Sequence, residues 1–326
     1  MNATTADSLM DSEEPHWVSR AAFPVLAMMF GFTQCALGCA VYREIYWLAV
    51  PLVLISSHLM HGMLVGFHEA THGLLRKNRL LNEIDGIIIG TLSLMSFSLY
   101  RAAHQLHHAH LATQRDEELW PFTDPKMPRG ARIFAAVCEL TMGLFFTPFL
   151  FMRTFLRAGS PIRNRKLRRR IWWEFALIAV VWTGILATLG WWHAGQYFLW
   201  LHVIPASLAA NMQSVRKYIE HVGLTGSTIN GSTRSVVARG WLGRLVSFTL
   251  LHEPFHGVHH RHSGLPHAEL PRRANVLHPR ADDERPPFRS YTRAFLDLVK
   301  NLPDPRVGAQ WREAKTAVPQ DMAGAR

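Results

Sequence analysis

Hydrophobic runs and polar breaks divide the chain. Residues 21–41 are apolar, Arg43 and Glu44 mark a short turn, and residues 47–66 are apolar again, running directly into His68. A helical crossing needs about 20 apolar residues, so the two runs predict a membrane hairpin. Residues 171–192 and 196–210 repeat the arrangement around the turn His193-Ala194-Gly195. Trp172, Trp173, Trp191 and Trp192 stand at the ends of the third run, where interfacial aromatics belong. Two further apolar stretches lie between the hairpins, at 84–100 and 133–155; the first is short and carries Ser93, Ser96 and Ser98. Residues 211–260 are mixed. From Pro271 the chain turns polar and proline-rich, with one amphipathic helix expected over 291–302 and the last 20 residues expected to be loose. The pattern predicts an all-α integral membrane protein. A polar N-terminal segment (1–20) precedes a membrane domain (21–270) and a polar C-terminal tail (271–326).

Composition supports this class. Charged residues are 18% of the 326, against about 25% in an ordinary soluble domain, and hydrophobic residues are 48%. The net charge of +11 is concentrated, with Arg163, Arg165, Lys166, Arg168, Arg169 and Arg170 within eight positions. Apolar segments flank this run, so it reads as a cytoplasmic juxtamembrane loop on lipid headgroups, and nucleic acid is not expected as a partner. Docking of an acidic electron carrier is the alternative use of the same charge. Arg76, Lys77 and Arg79 put the end of the second span on the cytoplasmic side too. Both termini are then expected to be cytoplasmic. The first 20 residues lack a basic n-region, so the first apolar helix is expected to stay as an anchor. Three cysteines, Cys35, Cys39 and Cys138, all in apolar stretches, give no disulfide framework.

The chemistry lies in three histidine clusters: His68-Glu69-Ala70-Thr71-His72, His104-Gln105-Leu106-His107-His108 and His256-Gly257-Val258-His259-His260. On a helix, residues three and four apart share a face, so the clusters aim two, three and three imidazoles. Neutral imidazole is the commonest ligand for transition metals. One zinc takes about four ligands, so eight histidines suit two metals better than one. The clusters can meet only if 84–100 and 133–155 do not cross the bilayer uncompensated. Both are therefore expected to be re-entrant or interfacial, leaving four spans in two hairpins and a cytoplasmic helical cap that carries the clusters.

Together, HEATH, HQLHH, HGVHH and the four spans resemble the membrane fatty acid desaturase and hydroxylase superfamily over roughly residues 45–271. The set of three boxes is specific, whereas each alone is weak. The resemblance implies two non-haem irons, a fatty acyl or other lipid substrate, and electrons from an external ferredoxin- or cytochrome b5-like carrier. It implies His68, His72, His104, His107, His108, His256, His259 and His260 as ligands, with His221 of the Glu220-His221 pair as a ninth. His252, four residues before His256, is a further candidate, as a ligand or behind the ligands. The implied reaction is O2-dependent introduction of a double bond, with O2 reduced to water. Lipid or alkane hydroxylation and carotenoid ketolation remain open within the superfamily, because Tyr218-Ile219-Glu220-His221-Val222-Gly223 is also similar to alkane hydroxylases.

Two readings of other classes compete. HEATH also fits HExxH, the zinc-protease helix with Glu69 as base, but that use leaves six box histidines idle. A metal transporter would spread its ligands along the spans, and most of these lie at span ends. Metal-bound imidazoles usually donate their second N–H to a carboxylate or carbonyl. Glu69, Asp85, Asp116, Glu220 and Glu253 are the carboxylates near the boxes. His110, His262, His267 and His278 read as residues without chemistry, and His61, seven residues before His68, is too far along the helix for the same metal.

Overall fold

The computed structural model describes residues 17–312, so most of the polar segment 1–20 and the end of the tail, 313–326, lie outside the described residues. Within them the chain is helical: α1 (Trp17–Tyr42), α2 (Tyr46–Thr71), α3 (Arg79–Leu92), α4 (Phe97–Ala109), α5 (Arg129–Leu156), α6 (Arg165–Trp191), α7 (Gly195–Phe198), a π-helical turn (Leu199–Val203), α8 (Ile204–His221), α9 (Ile229–Ser232), α10 (Gly240–Thr249), α11 (His256–Arg261), a 3-10 segment (His267–Leu277) and α12 (Tyr291–Asn301). Side-chain caps start several of them. Asn78 accepts from Leu80 and Leu81 N–H, Asn164 from Lys166 and Leu167 N–H, and Ser290 from Arg293 N–H.

Among the described residues, four helices are long and apolar enough to cross a membrane: α1 over Ala21–Tyr42, α2, α5 and α6. Their outward faces carry Phe32, Trp47, Phe134 and Val180, each more than 60% exposed, which suits hydrocarbon and not water. On α6 only Ile171 and Glu174 are buried. Glu174 explains Ser96 and Ser98 of the segment 84–100. It accepts from Ser96 Oγ at 2.6 Å, Ser98 N–H at 2.8 Å and Ser98 Oγ at 2.6 Å, pinning α6 to the first turn of α4. α3 and α4 meet at a bend of 102° within that segment.

The four qualifying helices differ by one from the expected set. The run 196–210 does not qualify: a π-turn interrupts it, and it continues as the polar end of α8. α5 does qualify, although residues 133–155 were expected to be interfacial. Its ends, however, are both held on the side of the loop 117–122. Arg129 Nε donates to Pro303 O at 2.8 Å and Arg132 Nε to Pro305 O at 2.9 Å, while Trp311 Nε1 of the same tail donates to Phe122 O at 2.8 Å. At the other end Arg153 and Arg157 both pair with Glu117. Midway α5 kinks at Met142, where Asn211 of α8 enters the broken ladder, accepting from Gly143 N–H at 3.0 Å and donating to Thr141 O at 3.2 Å. Gly143 permits this approach, since a Cβ there would meet Ala210 O at 2.9 Å.

The C-terminal region is part of the cap. α12 forms where an amphipathic helix was expected and buries Ala294 and Leu298. The expectation of a loose end fails for residues 307–312, because Val307 and Trp311 are buried. Proline and charge made this stretch look disordered, but its apolar residues fill a groove beside Phe122 and Tyr218.

Candidate metal centre

Each histidine cluster closes or opens a helix. α2 carries His68 in its last turn and is capped by His72, α4 carries His104, His107 and His108 in its last two turns, α8 ends on His221, and α11 begins on His256. The four ends converge, and nine imidazoles meet in two groups.

In the first group His68, His72, His104, His108 and His259 each offer a nitrogen, all within 4.8 Å of one another. His104 Nε2 lies 3.0 Å from both His72 Nε2 and His108 Nε2, and His259 Nε2 lies 3.1 Å from His108 Nε2. The second group is His107, His221, His256 and His260. His221 and His256 meet Nε2 to Nε2 at 2.9 Å, His256 and His260 at 3.0 Å, and His260 and His107 at 3.3 Å. The two HxxHH boxes are divided in opposite senses. His104 and His108 enter the first group and His107 the second, whereas His256 and His260 enter the second and His259 the first.

The partners of four outer nitrogens indicate the tautomer each ring takes when neutral. Asp116 Oδ2 lies 2.8 Å from His107 Nδ1, Glu118 Oε2 2.9 Å from His104 Nδ1, Glu253 Oε1 2.9 Å from His256 Nδ1, and Ser232 O 3.2 Å from His221 Nδ1. A carbonyl can only accept, and so can an ionised carboxylate, so each of these Nδ1 atoms donates. In the neutral imidazole, Nε2 is then a bare lone pair. His221 and His256 therefore point two lone pairs at each other across 2.9 Å, which a cation between them would relieve. A metal–nitrogen bond of about 2.1 Å gives neighbouring ligand nitrogens about 3.0 Å apart at a right angle, close to the spacing of both groups. Burial pushes His256, His259 and His260 well below the usual imidazole range, favouring the neutral form that binds metal.

Arg216 organises the far side. Its Nη1 donates to both oxygens of Glu220, at 2.7 and 2.9 Å, and lies 3.1 Å from Glu253 Oε1. Of the carboxylates expected near the boxes, Asp116 and Glu253 stand on histidines, and Glu220 lies 3.7 Å from His256 Nδ1. Asp85 instead pairs with Arg76. Glu69 lies 4.0 Å from His68 Nδ1, and with Glu253 it forms a further group of possible ligands around His68. Sequence reasoning missed Glu118 and Arg216; the signal for Glu118 was the acidic run Asp116-Glu117-Glu118 directly after the second box. His252 stands outside both groups, its Nδ1 3.4 Å from the buried His267, on which it stacks. His61 is buried along α2 outside both groups, and His58 contacts Thr249 Oγ1 at 2.8 Å.

A cavity of about 400 Å³ runs from Tyr100 and Glu118, beside the first group, between α1, α2, α3, α5 and α8. Its walls are mostly apolar, including Met63, Phe67, Ile89, Leu144 and Phe151. That size and character suit a long hydrocarbon.

The sequence pattern of the family described as fatty acid desaturase matches residues 45–292. The chain is also similar to an omega-3 fatty acid desaturase, chloroplastic, from Glycine max, at 27% identity over 119 residues, 35% of this chain and 25% of that relative. The similarity thus spans about a quarter of the length of the curated relative.

Proposed function

The chain belongs to the fatty acid desaturase family, and on that premise we propose that it is an O2-dependent membrane desaturase that introduces a double bond into a fatty acyl or other lipid chain with two non-haem irons. The observation that carries the reading is the convergence of nine imidazoles into groups of five and four at one end of an apolar cavity. His68, His72, His104, His108 and His259 would hold one iron, and His107, His221, His256 and His260 the other.

When bound, two irons together supply the redox chemistry that removes hydrogen from an unactivated C–H bond, which no side chain can do alone. The balance is R–CH2–CH2–R′ + O2 + 2 electrons + 2 protons giving R–CH=CH–R′ + 2 H2O. The two electrons come from a separate carrier protein. The chain itself contributes position and exclusion. The α4, α8 and α11 ends aim Nε2 atoms inward, and Asp116, Glu118, Glu253 and Ser232 O fix the rings from outside. The cavity walls hold the alkyl chain away from water beside Tyr100.

The termini and the histidine clusters are assigned to the cytoplasmic face, supported by Arg76, Lys77 and Arg79 after α2 and the basic start of α6. The zinc-protease reading is disfavoured because its HExxH motif would use only His68 and His72 of the nine converging imidazoles.

The test is metal analysis of protein purified in detergent from cells supplied with iron and zinc, joined to lipid profiling of those cells. About two irons per chain and a new unsaturated lipid, absent with a His107→Ala variant, are expected. About one zinc, no iron and no new unsaturated lipid would overturn the reading.

A further inference from the structure

Among the apolar cavity walls stands a buried ion pair. Glu139 of α5, 1% exposed, pairs with Lys217 of α8, 11% exposed. Tyr218 OH donates to Glu139 Oε2 at 3.0 Å and Thr147 Oγ1 to Glu139 Oε1 at 3.3 Å. Both members of the pair line the cavity.

Taking two charges out of water is unfavourable, and well-packed apolar residues of similar volume often stabilise a fold as well or better. Stability alone therefore does not call for this pair on a wall facing hydrocarbon. The donor count is uneven. Both Glu139 oxygens are occupied, whereas an ammonium has three N–H groups and Glu139 takes one. A bare alkyl chain offers nothing to the others.

Position adds a second constraint. Gln213, Lys217 and His221 are four residues apart in turn on α8, so they lie on one stripe. Gln213 and Lys217 face the cavity and His221 joins the second imidazole group. One step along the stripe is about 6 Å at 1.5 Å per residue.

Resting on the desaturase reading, we propose that Lys217, held by Glu139, receives an oxygen of the substrate (hydroxyl, carbonyl or carboxylate). The oxidised carbon then lies only a few bonds from that oxygen, because Lys217 stands one turn of α8 before His221 of the second imidazole group. The substrate class is an oxygen-bearing lipid gripped near the reacting carbon, not an alkyl chain held by its apolar length alone.

The test is equilibrium binding of radiolabelled dodecan-1-ol, dodecanoate and dodecane to the full chain in nanodiscs, corrected against empty nanodiscs. Wild type is expected to prefer an oxygenated ligand over dodecane by at least about tenfold, the scale of one hydrogen bond to a charged group. Preference for dodecanoate identifies a carboxylate, and preference for dodecanol a hydroxyl. Lys217→Met should abolish the preference while dodecane still binds, and Lys217→Arg should keep it. If Lys217→Met fails to fold with Glu139 left unpaired, the double variant Glu139→Gln/Lys217→Met carries the same expectation. Equal binding of all three ligands by wild type, or an unchanged preference without Lys217, overturns the proposal. Binding is read without turnover, and iron is measured on the same samples. Missing iron would count against the desaturase reading, while lost ligand preference would count against the role of Lys217.

Discussion

His221 and His256 approach each other Nε2 to Nε2 at 2.9 Å, although Ser232 O and Glu253 hold the proton of each ring on its far side. His221 lies outside all three histidine boxes, yet its geometry equals that of a box member. His221→Ala is therefore expected to abolish turnover and to remove about one metal per chain. Product analysis and metal content of the purified variant check this; a fully active variant would remove His221 from the centre.

The opposed division of the two HxxHH boxes separates two variants that look equivalent in sequence. His107 belongs to the second group and His259 to the first. Each alanine variant is expected to be inactive and to lose the metal of its own group only. If either variant kept its full metal content, that histidine would not be a ligand.

Asp116 and Glu118 act through the histidines they orient. Asp116 also accepts from Ala112, Glu118 and Leu119 N–H, so it fixes the loop as well as His107. Glu118→Gln removes charge but keeps an acceptor for His104 Nδ1. A loss of about 10-fold to 100-fold in activity or metal affinity is expected, with Asp116→Asn at the severe end. Metal titration of both variants measures it, and wild-type affinity in Glu118→Gln would refute the role.

Metal removal should weaken the fold, because opposed lone pairs are left facing each other in a buried site. Anything that binds only the native state stabilises it, by about 4 kcal/mol at a thousand times Kd. Chelated protein is expected to melt at a lower temperature and to recover on adding ferrous iron. An unchanged melting curve after complete removal would argue that the imidazoles do not share cations.

The spans and the histidines were legible because each has a strong period: long apolar runs, and pairs of histidines four apart. The partition into groups was not legible. His107 and His108 are neighbours in sequence but diverge by about 100° around the helix, and which partner each meets depends on the packing of α4 against α8 and α11. Glu118 and Arg216 were hidden for the same reason, since each acts on residues brought close only by the fold. Two arginines of the basic run at 163–170 are engaged within the protein. Arg168 Nη1 donates to Phe155 O and Ile162 O, and Arg170 pairs with Glu83 and Glu174. α5 has the hydropathy of a span, and only Arg129, Arg132, Arg153 and Arg157 reveal that both ends are fastened on one side.

The tail that sequence marked as loose offers the last test. Gly308 adopts φ +100, and a Cβ there would fall 1.9 Å from Ala112 O. Ala112 N–H donates to Asp116 Oδ2, the same oxygen that faces His107 Nδ1. Gly308→Ala thus adds backbone strain of about 1–3 kcal/mol and pushes on the loop that orients His107. Gly159 provides the control, with φ +75 and no atom within 4 Å of the added Cβ, so Gly159→Ala adds strain alone. Gly308→Ala is expected to melt below both wild type and Gly159→Ala and to bind metal more weakly in the second group. Equal melting of the two variants, with metal content unchanged, would mean that the tail packs on the cap without bearing on the centre.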